Sequence, residues 1–574
     1  IKSKTIRSEH GDKNITFDWL NFFSEESTKG AEGGRLRLPM EIHEWFKGLD
    51  WIVLFGYLGL TPWVGHVMRG KQASMSDFFA GGRSLPWLAV CGSIIATEIS
   101  GVTFIGVPGG VMAANGDFTY LVWALGSIIG RVIVGVAFTR VFYEEDIYSP
   151  NDYMGRRIKP QLKTLATIFF TIGSILAQSV RVLVAAIPLM IVTPFSFEAC
   201  ILIIGVFAIG WTLMGGMRTV IWTDVMQFFL FSAGGLITLF WVGSHLGPGW
   251  IEAAAEAGKT EWLSFDAGVS DAFKFTFWVA IFSVPFQNLG AYGVDQLNAQ
   301  RMFCCRNARE AGKAIMWSSV GQLITLLMLM VGAALFVWYA RHPPEDVVAE
   351  GMKWNAGSGT PDSPDNVFPI WIVRELPPGL SGLILGGVFA AAISSLDSIL
   401  AALSQTTVSV LYKPEEHGSV EEQRDLVAKA RMWVVIWGLF LTLFTLLMRW
   451  VQQETGVAIL PLAFGMTTYT MGPLLAMFLC ALLGRGSFKG LLTGSIISFL
   501  GVLFIRNDVW ALLHSLEFVR MPYQWLAALP MYYLEGEGDA AALRTTVGFF
   551  WAWPATTIVT FGCGYFWPGR GKTR

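Results

Sequence analysis

The chain has 574 residues, of which 53% are hydrophobic and only 15% charged; it contains 24 Trp and 42 Phe and has a formal net charge of −2. An average soluble domain carries roughly 25% charged residues, so a soluble globular protein of this length is excluded. The near-neutral balance offers no basic surface for nucleic acid, which is not expected as a partner.

Residues 1–46 form a polar segment of mixed charge, without the apolar stretch of a signal peptide. It reads as extracellular, with the piece Phe17–Phe23 lying either on the outer leaflet or over the outer loops. With no initiator Met, the chain reads as continuing upstream. From there on, stretches of spanning length, about 17 to 25 apolar residues, recur thirteen times. They lie near 48–68, 87–113, 118–142, 164–192, 196–215, 217–243, 273–294, 313–340, 379–411, 430–450, 455–483, 487–505 and 545–568. The expected fold is therefore an all-α membrane protein with 13 transmembrane helices. Residues 47–570 form a single transmembrane domain.

Two spans are interrupted. The second carries Gly106-Val107-Pro108-Gly109-Gly110 and the seventh carries Pro285-Phe286-Gln287-Asn288-Leu289-Gly290-Ala291-Tyr292-Gly293. Pro removes a helical N–H and Gly relaxes the backbone, so both read as unwound helices that present carbonyls and helix ends inside the protein. The breaks are five spans apart, the spacing of a five-plus-five inverted repeat with a midplane site. Repeat one covers about 87–243 and repeat two about 273–483, with accessory helices at 48–68, 487–505 and 545–568.

Charged and hydroxylic residues inside spans are functional candidates, because burying them without partners costs several kcal/mol each, roughly. Glu98, Arg131, Arg181 and Asp224 are of this kind, and Ala391-Ala392-Ile393-Ser394-Ser395-Leu396-Asp397-Ser398 places three hydroxyls and a carboxylate in one apolar run. The serines fit either an ion site or hydrogen bonds back to their own helix carbonyls. For Glu98, solute binding, proton carriage and an ion pair with an arginine such as Arg131 all fit.

Basic residues set the orientation, since cytoplasmic loops retain Lys and Arg. With the N-terminus outside and the C-terminus inside, Arg69, Lys71, Arg156, Arg157, Arg301, Arg306, Arg309, Arg431, Arg485 and Arg570 fall on the cytoplasmic side. Glu252, Glu256, Glu261, Glu345, Asp346, Asp362 and Asp365 fall outside. The six cysteines lie in spans or on the inner side and read as free thiols rather than a disulfide framework. No nucleophile and base pair or metal-ligand cluster occurs at a catalytic spacing, so no enzyme is expected.

Four motifs in chain order resemble the sodium/solute symporter family with its LeuT-like core. They are Phe78-Phe79-Ala80-Gly81-Gly82-Arg83-Ser84-Leu85-Pro86-Trp87, then Gly215-Gly216-Met217-Arg218-Thr219-Val220-Ile221-Trp222-Thr223-Asp224-Val225-Met226-Gln227. Asp295-Gln296 with Gln300-Arg301 follows, and then Leu376-Pro377-Pro378-Gly379-Leu380-Ser381-Gly382-Leu383 leading into Ala391 to Ser398. The resemblance runs from about residue 50 to 505. It implies a sodium site made from the carbonyls of Ala96, Ile99 and Ala391 and the hydroxyls of Ser394 and Ser395, with Na+ as coupling ion. Neutral oxygens suit a hard cation that must be released in every cycle. Asp224, Asp397 and Ser398 stand where some members hold a second cation, and Asp397 departs from the hydroxyl used there. A second sodium, a proton relay and a structural pair with Arg131 or Arg181 fit equally.

The expected solute contacts, at the two breaks, are Glu98, Ser100, Thr103, Gln287, Asn288 and Tyr292. Sugar-carrying members place a Glu-Gln pair after the serine of the broken helix; here the chain reads Ser100-Gly101-Val102-Thr103. The resemblance thus implies a secondary transporter in a plasma membrane, of the bacterial inner-membrane kind. It would couple inward sodium flow to uptake of a small polar organic solute, monocarboxylate-like or sugar-like. Its partners are the solute, sodium and the lipid bilayer, with no obligatory protein partner. A solute sensor on the same fold and a passive channel are the alternatives.

Overall fold

In hydrocarbon each backbone N–H and C=O must be satisfied within its own segment, which leaves helix as the available solution for these apolar runs. The computed structural model describes residues 42–68, 80–147, 149–214, 216–266, 275–412, 419–455, 459–515, 529, 531–535 and 542–567, mostly helical and all within one compact unit. The expectations for residues 1–41, Arg69, Lys71, Phe78, Phe79, Gly215 and Arg570 lie outside the described residues.

The principal helices are α1 (Gly48–Met68), α2 (Trp87–Glu98), α3 (Val107–Met112), α4 (Thr119–Glu144), α5 (Pro160–Val192), α6 (Phe197–Met214) and α7 (Met217–Leu246). They continue with α8 (Phe277–Phe282), α9 (Val284–Gly293), α10 (Gln296–Met302), α11 (Ala308–Arg341), α12 (Leu380–Leu411) and α13 (Val420–Thr455). The last are α14 (Ile459–Thr467), α15 (Met471–Leu482), α16 (Phe488–Ile505) and α17 (Ala552–Phe566). Among the described residues eight helical segments are individually long and apolar enough to cross a bilayer, and the bent pair α2 and α3 makes a ninth. Exposed Phe240, Val206 and Ile558 show the apolar exterior that lipid requires. The chain is a multi-pass membrane protein.

Both interruptions exist, but each lies upstream of where its prolines and glycines suggest. The second span bends by 53° at Ile99 to Gly101. Val102–Gly106 follows as a π-helical turn, and Gly106 to Gly110 is helical rather than unwound. The seventh breaks at Ser283, while Pro285 to Gly293 forms the regular helix α9. Pro285 occupies the first turn of α9, where no intrahelical donor is needed, and Pro108 stands within the helical run Val102–Met112, just after its π-turn. Neither proline marks the break.

Packing brings the broken spans to the centre. α2 packs on α7 and α12, α3 on α11, α9 on α4, and α12 on α1, α5 and α7. The approach of α4 to α8 and α9 depends on small residues: a Cβ at Gly126 would run into the Ala280 carbonyl of α8, and one at Gly130 would fall 2.6 Å from Asn288 Cβ of α9. Such spacing lets helix backbones meet closely in lipid, and it carries Ser127 and Arg131 against α9. Asp50 of α1 accepts from the amides of Gly379 and Gly382 at 2.6 and 3.1 Å, an anion seated on the amino end of α12.

Candidate ion and solute site

At the α2 break the amides that a continuous helix would aim at the Ala96 and Ile99 carbonyls turn elsewhere. Ser100 N donates to Glu98 O (2.9 Å) and Thr103 N to Ser100 O (3.0 Å). Ser100 Oγ accepts from Val102 N at 3.3 Å and starts the next segment. Ala96 and Ile99 are buried, and α12, packed against α2, brings Ser395 into the same interior. Ser395 Oγ is buried with no hydrogen-bond partner among the described residues, so it does not bond back to its own helix. Ala391 and Ser394 occupy α12 within one turn of it; their side chains lie outside the described residues.

Asp224, Asp397 and Ser398 come together around Arg301, a residue of the Gln300-Arg301 motif that the sequence reading places on the cytoplasmic side. Arg301 NH2 donates to Asp224 Oδ2 at 3.1 Å and to Ser398 Oγ at 2.7 Å; its Nε donates to Ser93 Oγ at 3.0 Å. Ser93 Oγ donates to Asp224 Oδ2 at 2.5 Å, and Ser398 Oγ to Asp397 Oδ1 at 3.1 Å. Asp397 Oδ2 is buried with no partner among the described residues. The ion-pair partner of Asp224 is therefore Arg301, not Arg131 or Arg181.

Of the expected solute contacts, Glu98, Asn288 and Tyr292 are joined in a second knot, centred on Arg131. Arg131 pairs with Glu98 Oε2 and donates to Tyr292 Oη (2.8 Å), Ser318 Oγ (2.6 Å) and Ser127 Oγ (3.1 Å). Its guanidinium lies 4.5 Å from the centre of the Tyr292 ring. Gln322 Nε2 donates to Glu98 Oε1 at 2.8 Å, and Ser127 Oγ to Asn288 Oδ1 at 2.9 Å. A buried ion pair tolerates removal from water only when its remaining lone pairs and protons are satisfied in this way. Ser100, Thr103 and Gln287 are buried, and none of them joins this knot.

A third polar group lies on α5. Ser174, Gln178 and Arg181 stand at i, i+4 and i+7, one stripe of the helix. Ser174 Oγ, Gln178 Oε1 and Arg181 NH1 are each buried without a hydrogen-bond partner among the described residues. Arg181 makes no ion pair among them, although Asp295, Tyr292 and Glu98 are within electrostatic reach. Opposite the start of the stripe, Thr470 Oγ1 is also buried and unpartnered; a Cβ on Gly173 would lie 2.0 Å from it. Sequence reasoning singled out Arg181 but missed Ser174 and Gln178. Their spacing on one face of a 33-residue apolar helix was the available signal. Asp295 caps α10, accepting from Leu297 N at 2.8 Å, and burial pushes its carboxyl up to about 6 against that amide and the pull of Arg181 and Arg301.

Residues 78–496 match the model of the sodium:solute symporter family. The chain belongs to the sodium:solute symporter family. This is a family of transporters, not of enzymes, and its coupling ion is sodium. The symporter is 28% identical over 374 residues to the sodium/glucose cotransporter of Vibrio parahaemolyticus, covering 62% of this chain and 66% of that one. It is 26% identical over 483 residues to the sodium/sialic acid symporter SiaT of Proteus mirabilis, covering 81% and 91%. The solved structure of a substrate-bound, outward-open Na+-coupled sialic acid symporter, described as revealing a novel Na+-site, superposes with a TM-score of 0.69 at 22% identity. The match covers 90% of this chain and 97% of that chain, and it shows the fold.

Proposed function

We propose that this symporter couples inward sodium flow to uptake of a small organic anion, a carboxylate of monocarboxylate or acidic-sugar type. The observation that carries the choice of an anion is the Arg181 NH1 group, buried beside Gln178 and Ser174 with no acceptor among the described residues. A guanidinium is a fixed two-pronged donor whose natural complement is a carboxylate. Neutral sugars are a weaker complement, even though relatives named for glucose and for sialic acid are both similar to this chain.

Sodium binds at the carbonyls of Ala96, Ile99 and Ala391 and the hydroxyls of Ser394 and Ser395. Support comes from the interrupted ladder at Ala96 and Ile99 and from the unused Ser395 Oγ. By holding α2 to α12, sodium favours the outward-open arrangement, and the solute then permits the inward-open one; coupling is a linkage of the two equilibria. The single domain of 47–570 crosses a plasma membrane, the inner membrane of a bacterium, thirteen times. Its N-terminus is outside and its C-terminus inside, and repeats 87–243 and 273–483 enclose the site.

The test is a thermal-stability screen of the purified chain against carboxylates and neutral sugars, in sodium and in potassium. Stabilisation by carboxylates only, and only in sodium, is expected. A neutral sugar that stabilises native protein and Arg181→Gln equally would overturn the anion assignment. Counterflow of the hit in proteoliposomes separates a carrier from a channel or sensor, because exchange driven by trans solute requires a carrier.

A further inference from the structure

The segment from Gln296 to Cys305 has the topology of a loop and the burial of a core. Gln296, Ala299, Arg301, Met302, Cys304 and Cys305 are all fully buried. Gln296 Nε2 donates to Gln405 Oε1 of α12 at 3.1 Å, and three further fastenings hold the second half of the segment. Leu85 N donates to Cys304 O at 3.0 Å, and Tyr143 Oη donates to the carbonyls of Met302 (2.9 Å) and Cys305 (2.7 Å). The third is the Arg301 guanidinium, whose donors reach Ser93 on α2, Asp224 on α7 and Ser398 on α12.

The first two fastenings bind the segment to neighbours outside the ion site; the third binds it to the helices that carry that site. Ser93 lies one turn before Ala96 on α2, and Ser398 lies three residues beyond Ser395 on α12. A rigid fork bonded to both helices holds only while they keep their present separation, and that separation is what a sodium ion between Ala96, Ile99 and Ser395 would fix.

We propose that Arg301 is the latch of an inner gate, clamping the Gln296–Cys305 segment across α2, α7 and α12 while sodium is bound and releasing it when sodium leaves. This rests on the sodium site and topology proposed above. Arg301 acts through the helices and touches neither ion nor solute, so it is a positioning residue. Its charge is matched by Asp224, whose carboxylate also receives the Ser93 hydroxyl, and the cost of burial is offset only in the clamped arrangement. A lysine would not replace it, because an ammonium lacks the planar fork that spans three acceptors.

Cys304 and Cys305, both buried in the segment, are native reporters of release. The experiment is thiol labelling of the purified full chain with N-ethylmaleimide, resolved by peptide mass spectrometry, in sodium and in potassium. In the native protein labelling at Cys304 and Cys305 is expected to be slower in sodium. In Arg301→Gln labelling should be faster by about tenfold, the loss expected for bonds to a charged donor, and the sodium-to-potassium ratio should collapse to unity. A merely structural role would lower thermal stability and leave that ratio unchanged, which overturns the latch. Should Arg301→Gln fail to fold, Ser398→Ala removes one acceptor and is expected to reduce the ratio in the same direction. Native protein that is thermally stabilised by sodium but labelled equally in both salts also overturns the latch, while leaving the sodium site standing. No stabilisation by sodium at all overturns the site, and the latch with it.

Discussion

Around Arg131 the guanidinium nitrogens donate to Glu98, Tyr292, Ser318 and Ser127, whereas on α5 Ser174 Oγ, Gln178 Oε1 and Arg181 NH1 are buried with nothing to bond among the described residues. Both regions place an arginine among apolar helices, yet they differ in what they still need. The Arg131 knot is complete and closes on itself, joining α2, α4, α9 and α11. The α5 stripe and Ser395 are incomplete, and an incomplete polar surface is where a ligand gains most. A buried charged group is thus weak evidence for binding until its partners are counted.

The sharpest way to break this comparison is to open the complete knot. Arg131→Ala leaves Glu98 without its counter-charge, and breaking a buried pair from one side costs about 3–5 kcal/mol. Thermal unfolding in detergent should show that loss, and adding Glu98→Gln to the same chain should recover part of it. A single variant as stable as the native protein would mean that the knot is not a structural unit.

The incomplete sites should respond in the opposite sense. Ser395→Ala removes a hydroxyl that has no partner, so stability in potassium should change by less than about 1 kcal/mol. The stabilisation by sodium, about 2.7 kcal/mol at one hundred times Kd for an ion that binds only the folded state, should shrink. Melting curves at stepped sodium concentrations read both quantities. An undiminished sodium shift would remove Ser395 from the site.

Arg181→Gln tests the stripe. Loss of a charge-assisted bond of about 1.5–3 kcal/mol should weaken carboxylate binding roughly 10-fold to 150-fold and leave the sodium shift in place. Solute titrations of the melting temperature check it. Equal weakening toward solute and sodium would say that the two incomplete regions are one.

Much of this architecture was legible in the chain because lipid allows few solutions: long apolar runs become helices, and small residues such as Gly126 and Gly130 mark close crossings. The position of the breaks was less legible. Pro108 and Pro285 read as interruptions, but each lies within the helix that follows one, and the actual hinges at Ile99 to Gly101 and at Ser283 carry no proline. Partner choice was legible only in part. Asp224 and Arg301 are 77 residues apart, and a residue in a short basic loop gives no sign that the loop folds back into the core. Glu98 and Arg131, by contrast, meet as the sequence suggested, because adjacent spans place them at similar depth.

Asp365, in the connection between α11 and α12, stands between the complete and incomplete cases and gives the smallest expected effect. Its Oδ2 accepts from Ile459 N at 3.4 Å, at the start of α14, while a Cβ at Gly106 would lie 3.8 Å from its Oδ1. Burial pushes the carboxyl up from 3.8 to about 6, with the Ile459 amide opposing. A raised acid holds its proton more tightly in the folded arrangement than when exposed. The contact therefore contributes fully below about pH 4, and its contribution is lost as pH rises through about 6. The residue keeps partial contact with solvent, so screening keeps the effect below about 1 kcal/mol. Asp365→Asn imitates the protonated form at every pH. Its melting temperature should match the native protein near pH 4 and exceed it slightly at pH 8, the gap opening as pH rises from about 4 and levelling off above about 6. Parallel curves from pH 4 to pH 8 would show that Asp365 is as fully compensated as the Arg131 knot, and would place it on the complete side of the comparison.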